Sequence, residues 1–306
     1  MHDSPDPSGR SLPVDRRAFL ALGGAAGILP GSVIDSRPRV ASASPRDLLL
    51  YVFLRGGLDA PSVVVPHGDP GLYRERPRLA IPKPGQQDGA IDLDGFFGLA
   101  PSASPLLPAY RAGDLALVVA AGSPDPNRSH FEAMERIETA TPNSPTEPPP
   151  TGWLGRALRG SAPAGDGKLR GLALEPLLPR TLAGGPATLP TYQPSGFAFP
   201  GNHNTRVARQ SVLRSMFAHS PATLPALQIG ALNTLDAVER IESIRFAGYQ
   251  PQYGAQYPTS SFGRRLRDVA ILLKAQAGIE VLEVDFGGWD DHDRLGPITG
   301  PFATRM

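Results

Sequence analysis

Residues 261–286 read SFGRRLRDVAILLKAQAGIEVLEVDF, and the reading of this stretch decides the fold. In its first part Phe262, Leu266, Val269, Ile271, Leu272 and Leu273 form an apolar face opposite Arg264, Arg265, Arg267 and Lys274, which predicts an amphipathic helix over Ser261 to Ala277. Ser260 or Ser261 caps its start and Gly278 its end. Glu280 to Phe286 follows at once as the signature of a strand buried on both faces. A helix feeding directly into a buried strand is half of a βαβ unit. The expected class is therefore α/β, with a mostly parallel central sheet and helices on both sides.

Working outward, Asp47 to Leu54 is a second such run, bounded by Arg55-Gly56-Gly57, and predicts a central strand. Leu115 to Ala121 is a third, closed by Gly122-Ser123-Pro124, and Leu172 to Leu174 is a shorter fourth. Thr205 to Ala218, Leu224 to Phe246 and Phe131 to Glu138 read as helices, and no internal repeat is present. The 306 residues are 41% apolar, the range of a soluble globular protein, while Gly 34 and Pro 35 exceed a fifth of the chain. The prolines gather in Pro142 to Pro150 and Pro186 to Pro200, so long irregular loops on a compact scaffold are expected.

The first residues read as an address. Arg16-Arg17-Ala18-Phe19-Leu20 precedes a Gly/Ala run, Ala18 to Leu29, and Ala41-Ser42-Ala43 supplies a small-x-small cleavage site. This resembles a twin-arginine signal over residues 1–43, leaving one domain over 44–306 and placing the mature protein in the periplasm or outside the cell, with an uncleaved amino-terminal anchor as the alternative. The apolar run falls short of the roughly 20 helical residues that span a bilayer, so the mature chain is expected to have no membrane span. Cleavage takes the formal net charge from +1 to 0, which recommends no nucleic-acid partner. Cysteine is absent, so disulfides and thiolate ligands are excluded, and any metal must sit on oxygen and imidazole donors.

Four stretches can carry chemistry. Gly56 to Ser62 lies just beyond the first strand, where Asp59 is either a turn cap or a ligand pointing into the crevice at the strand ends. Ser123 to Glu132 runs from a predicted strand into a predicted helix. There Ser129 is an N-cap with Glu132 three residues on, and the free N–H groups of the helix start also suit a nucleophilic hydroxyl. Gly287 to Asp293 crowds Asp290, Asp291, His292 and Asp293 behind Asp285. Asp290 and His292, two apart on an extended segment, project to one side and can share a metal, with a solvated acidic turn as the competing reading. Gly201-Asn202-His203-Asn204 is read as a loop carrying His203, and His2, His67 and His219 have no polar constellation around them.

Taken together, Phe53 to Asp59, Ser62 to Pro66, Leu93 to Leu99, Gly122 to Phe131, Thr151 to Arg156 and Gly287 to His292 resemble the ordered motifs of an exported bacterial family called domain of unknown function 1501. The resemblance covers nearly all of residues 44–306. It implies the three-layer α/β/α fold of the alkaline phosphatase and sulfatase superfamily, with one or two divalent metals (zinc, calcium or magnesium) beside a hydroxyl nucleophile acting on a phospho- or sulfo-ester. Carried over, Asp59, Asp290 and His292 match metal ligands and Ser129 the nucleophile, with Ser62 as its rival. Members of that family continue past the position matching Met306 into a further helix, strand and ligand motifs. The expectation is thus a chain incomplete at its carboxyl end, by a true stop or a sequencing artefact, and a scaffold weakly active or inactive. The alternative is a non-enzymatic exported binding or assembly protein.

Overall fold

The computed structural model describes residues 48–141, 150–219 and 225–306. The expected signal segment lies outside them, as do residues 142–149 of the proline-rich stretch. In chain order the elements are β1 (Leu49–Leu54), β2 (Val64–Val65), α1 (Pro70–Glu75), β3 (Ile91–Asp92), β4 (Gly98–Leu99), α2 (Leu107–Ala112), α3 (His130–Thr139) and α4 (Trp153–Arg159). They continue with β5 (Gly171–Ala173), β6 (Thr188–Pro190), α5 (Arg206–Ala218), α6 (Pro225–Glu242), α7 (Ser261–Ala275), β7 (Val281–Phe286) and α8 (Pro301–Arg305).

Four strands form a wholly parallel sheet in the order β1-β7-β5-β6, as the helix-then-strand pattern of residues 261–286 requires. Strand alternation divides its residues between two faces. Leu172, Leu282 and Val284 point to one side, where Ala237 and Ile241 of α6 and Val269, Ile271 and Leu272 of α7 close over them. Ala173 and Val281 point to the other, against Leu154 and Leu158 of α4. Leu172, Leu282 and Val284 are completely buried, each worth about 2 kcal/mol relative to exposure. A small antiparallel sheet, β2-β4-β3, packs its own apolar cluster around Val65 and Leu99. Among the described residues no helix is long and apolar enough to cross a membrane.

Four local expectations change. The run Asp47 to Leu54, expected as a central strand, forms β1 at the edge of the described sheet, with β7 on one side only and Leu49 46% exposed. Leu115 to Ala121 is not a strand, and Val118 stands 61% exposed. Among the described residues no neighbouring strand completes a ladder for it, and only Leu117 of the run joins a buried cluster. In α7, Arg265 is buried rather than on the polar face, while Leu273 is exposed. The helix closes on Gln276 in the left-handed region at φ 48°, two residues before the expected Gly278.

Register places the candidate chemistry. Leu54 of β1 pairs with Phe286 of β7, so the loops that follow these two strands leave the same carboxyl edge of the sheet. Arg55 N–H donates to Phe286 O at 2.9 Å and Trp289 N–H donates to Arg55 O at 3.1 Å, which ties the two loops together.

Candidate metal centre

The loop after β7 is oriented by one aromatic side chain. Trp289 is 2% exposed and packs edge-on against Phe286 and Phe302, with the Arg305 guanidinium 5.1 Å from its ring centre. With Trp289 inward, the neighbouring Asp290 turns outward. Asp291 is taken by Arg305, whose Nη1 donates to Oδ2 at 2.8 Å. His292 then falls on the same side as Asp290, as their two-residue spacing predicts. Its Nε2 lies 2.5 Å from Asp290 Oδ1.

A third donor comes from α3. His130 Nε2 stands 3.1 Å from the same Asp290 Oδ1, and the two imidazoles meet edge to face at 5.3 Å. The loop after β1 makes room for this approach. A Cβ on Gly57 would lie 2.6 Å from His130 Nδ1, and one on Gly56 would lie 2.7 Å from the Asp290 backbone nitrogen. Both glycines have strongly positive φ, +116° and +101°, which side-chain-bearing residues rarely adopt. The Gly-Gly pair after β1 is therefore explained by contact with the two other elements of the site.

One ligand atom from each of His130, Asp290 and His292 lies within 4.8 Å of the others. A tetrahedral cation with bonds near 2.0–2.1 Å holds its ligand atoms about 3.3 Å apart. The 3.1 Å separation is close to that spacing, the 2.5 Å one is shorter by less than an ångström, and the ligand nitrogens of the two imidazoles lie within 4.8 Å of each other. Two imidazoles and a carboxylate form a donor set suited to a transition metal. His292 and Asp290 are exposed and His130 is half-buried.

The other residues singled out from sequence make contacts of their own. Both Asp59 carboxylate oxygens accept from Arg76 Nη2, at 2.9 and 2.8 Å, and the buried Ser62 hydroxyl also donates to Asp59. These contacts give Asp59 and Ser62 a structural employment apart from the histidines. Ser129 caps α3, accepting from Glu132 N–H at 3.4 Å in the predicted manner, and places His130 as the first helical residue. His203 begins an exposed 3₁₀ turn, and His67 is buried against Asp92 with Nε2 at 2.9 Å from Oδ1.

Beneath the centre lies a set of buried acids around one arginine, of which only Asp285 stands among the candidates of the ending motif. Glu283 and Asp285 alternate on β7 and share a sheet face with their register partners Tyr51 and Phe53. Arg55 Nε donates to Asp285, and its Nη2 donates to Glu138 of α3 at 2.7 Å. This one guanidinium thus links the helix that carries His130 to the strand that leads to Asp290. Burial would lower the Arg55 pKa, but the bonds to Glu138 and Asp285 outweigh it and raise the value, so the cation persists. Burial pushes the Glu283 carboxyl up to about 8, while the Thr181 hydroxyl that donates to it pulls the other way. Burial likewise raises Asp285, against Arg55, and raises the Tyr51 phenol, with Glu283 adding to the effect. The signal available in sequence was the spacing of Glu283 and Asp285 within an otherwise apolar strand. His130 falls inside the stretch Ser123 to Glu132, directly after the capping Ser129, and nothing in its spacing ties it to Asp290.

Comparisons with protein-family models, with curated proteins and with solved structures each find no match to this chain.

Proposed function

We propose that this protein binds a divalent transition metal, zinc by preference, through His130, Asp290 and His292 at the carboxyl edge of its parallel sheet. The observation that carries the proposal is the convergence of both Nε2 atoms on Asp290 Oδ1 from two different elements. Of zinc, calcium and magnesium, the donor set selects zinc, because calcium and magnesium favour all-oxygen shells. When bound, such a metal supplies Lewis-acid polarisation of an ester oxygen. His130 is held for this by the α3 start, Asp290 by the inward Trp289, and the Gly56-Gly57 turn keeps the approach open.

The motif resemblance supports an alkaline-phosphatase-like three-layer scaffold, export through the twin-arginine route and a phospho- or sulfo-ester ligand. On this reading Ser129, adjoining His130 at a helix start, is the hydroxyl nucleophile. The test is hydrolysis of aryl phosphate and aryl sulfate esters by zinc-loaded protein. Turnover abolished by chelator and by His130→Ala supports it. Turnover that survives both treatments contradicts it. A second reading, metal-dependent binding without turnover, is favoured by the exposure of the site. The His292 side chain is 74% exposed and that of Asp290 46%, so bulk water surrounds the site and weakens the electrostatic stabilisation that turnover needs. Metal-dependent retention of an ester without its cleavage identifies this case.

A further inference from the structure

The same carboxyl edge of the sheet carries a second feature two strands away from the metal centre, at the ends of β5 and β6. A cavity of about 230 Å³ opens there between the segment following β6 and the first turns of α7. Tyr192, Ser261, Arg264, Arg265, Arg267 and Asp268 lie in its wall. Its volume falls below the roughly 300 Å³ at which drug-sized pockets begin, so it suits a small ligand.

The wall is cationic and its charges differ in their commitments. Arg265 is 9% exposed, pairs with Glu175 and donates to Leu174 O at 3.2 Å from Nη1, yet its Nε has no hydrogen-bond partner. That nitrogen is covered from the cavity, so Arg265 fixes the wall through Glu175 and Leu174 and leaves Arg264 and Arg267 to meet a ligand. Arg264 spends Nη1 on Thr259 O at 2.5 Å, and Arg267 lies over the Tyr249 ring at 5.6 Å. Among the described residues neither has a carboxylate within ion-pair distance. Asp268 is the one acid in the wall. Burial raises its pKa against the pull of Arg267, and its single carboxyl is outnumbered by the three guanidinium groups of the wall. The α7 N-terminus adds the positive end of a fifteen-residue helix, with the Ser260 hydroxyl satisfying Gly263 N–H at 3.1 Å.

We infer that this cavity is an oxyanion site, taking phosphate, sulfate or a small ester of either on Arg264, Arg267 and the first turn of α7. The inference is independent of the metal centre, because the two sites share no residue. Glu175 lies between them: its Oε1 accepts both from Arg265 and, at 2.8 Å, from Asp285 N–H on β7. An anion held here stands about 10 Å along the sheet edge from β7, at the usual spacing of 4.8 Å between strands.

The test is calorimetric titration of the full chain with inorganic phosphate, then with sulfate, in buffer containing chelator and held at constant ionic strength with chloride. Saturable binding is expected for both anions, weakened at least tenfold in Arg264→Gln/Arg267→Gln and partly retained in Arg264→Lys. No saturable heat above the chloride background overturns the inference, as does unchanged affinity in a double variant with wild-type circular dichroism. If that variant fails to fold, amide shifts of the wild-type protein on adding phosphate decide. Shifts centred on Tyr192 and Ser261 to Gly263 uphold the site, and shifts centred elsewhere overturn it. The chelator keeps the outcome separate from that of the metal proposal.

Discussion

Glu283 stands in the middle of β7, completely buried, with one carboxylate oxygen bonded to Thr181 and the other, Oε1, without a partner. Its folded pKa is raised by burial to about 8 from an ordinary 4.5, so the folded chain holds a proton that the unfolded chain releases over that interval. The stability contributed by the neutral group is therefore fully present below pH 4.5 and is lost as pH rises through 8. At 1.36 kcal/mol per unit, the loss comes to about 3 kcal/mol by pH 7 and about 5 kcal/mol above pH 8. Glu283→Gln makes the neutral state permanent and keeps an acceptor for the Thr181 hydroxyl. Urea unfolding followed by the fluorescence of Trp153 and Trp289, repeated from pH 4.5 to 8.5, should find the variant close to wild type at the acid end. By pH 7 it should lead by about 3 kcal/mol. Asp285 and Glu175, also raised by burial, add slopes of the same sign to both proteins, so the difference between the two isolates Glu283. A difference that stays flat across the range, or a variant less stable throughout, would refute the placement of a protonated acid in the sheet.

Removing the Arg55 guanidinium leaves Asp285 and Glu138 facing each other unpaired. Arg55→Met should cost about 3–5 kcal/mol in urea unfolding, and the loss should shrink when Glu138→Gln is added. Gly57→Ala forces an unfavourable φ and drives a methyl against the His130 ring, so zinc affinity should fall at least tenfold for a stability loss of about 1–3 kcal/mol. Unchanged affinity in calorimetric titration would show that His130 does not depend on that turn. Asp59→Asn should lower stability by about 1–2 kcal/mol through its pair with Arg76 and leave zinc affinity within twofold of wild type. A tenfold loss would instead make Asp59 a ligand.

What could be read from residues alone was what local pattern determines. The parallel sheet follows from the apolar runs of β1 and β7 and from the helix joined directly to β7, since period and length settle those elements, whereas the place of β1 at the sheet edge is set by the rest of the chain. Leu115 to Ala121 shows the limit: the same apolar run is a strand only beside another strand, and the run does not record whether one is there. At the site, the shared side of Asp290 and His292 is a consequence of alternation and was legible. His130 was not, because its approach depends on where α3 lies relative to the β7 loop and on the space left by Gly57. The Asp59 pair with Arg76 depends in the same way on how α1 and the segment leaving it fold back against the loop after β1. The buried cluster of Glu283, Asp285, Glu138 and Arg55 was half-legible, through two acids spaced along one face of an apolar strand, but its closure by a helix residue is tertiary.

The central claim is that His130, Asp290 and His292 form one metal centre. Its most direct test is the visible spectrum of the apo-protein titrated with cobalt(II), a spectroscopic substitute for zinc. The geometry predicts intense d–d bands saturating at one equivalent, displaced by zinc and lost in both His130→Ala and His292→Ala while Asp59→Asn retains them. Weak octahedral bands that do not saturate, or a spectrum unaffected by either histidine substitution, would contradict it.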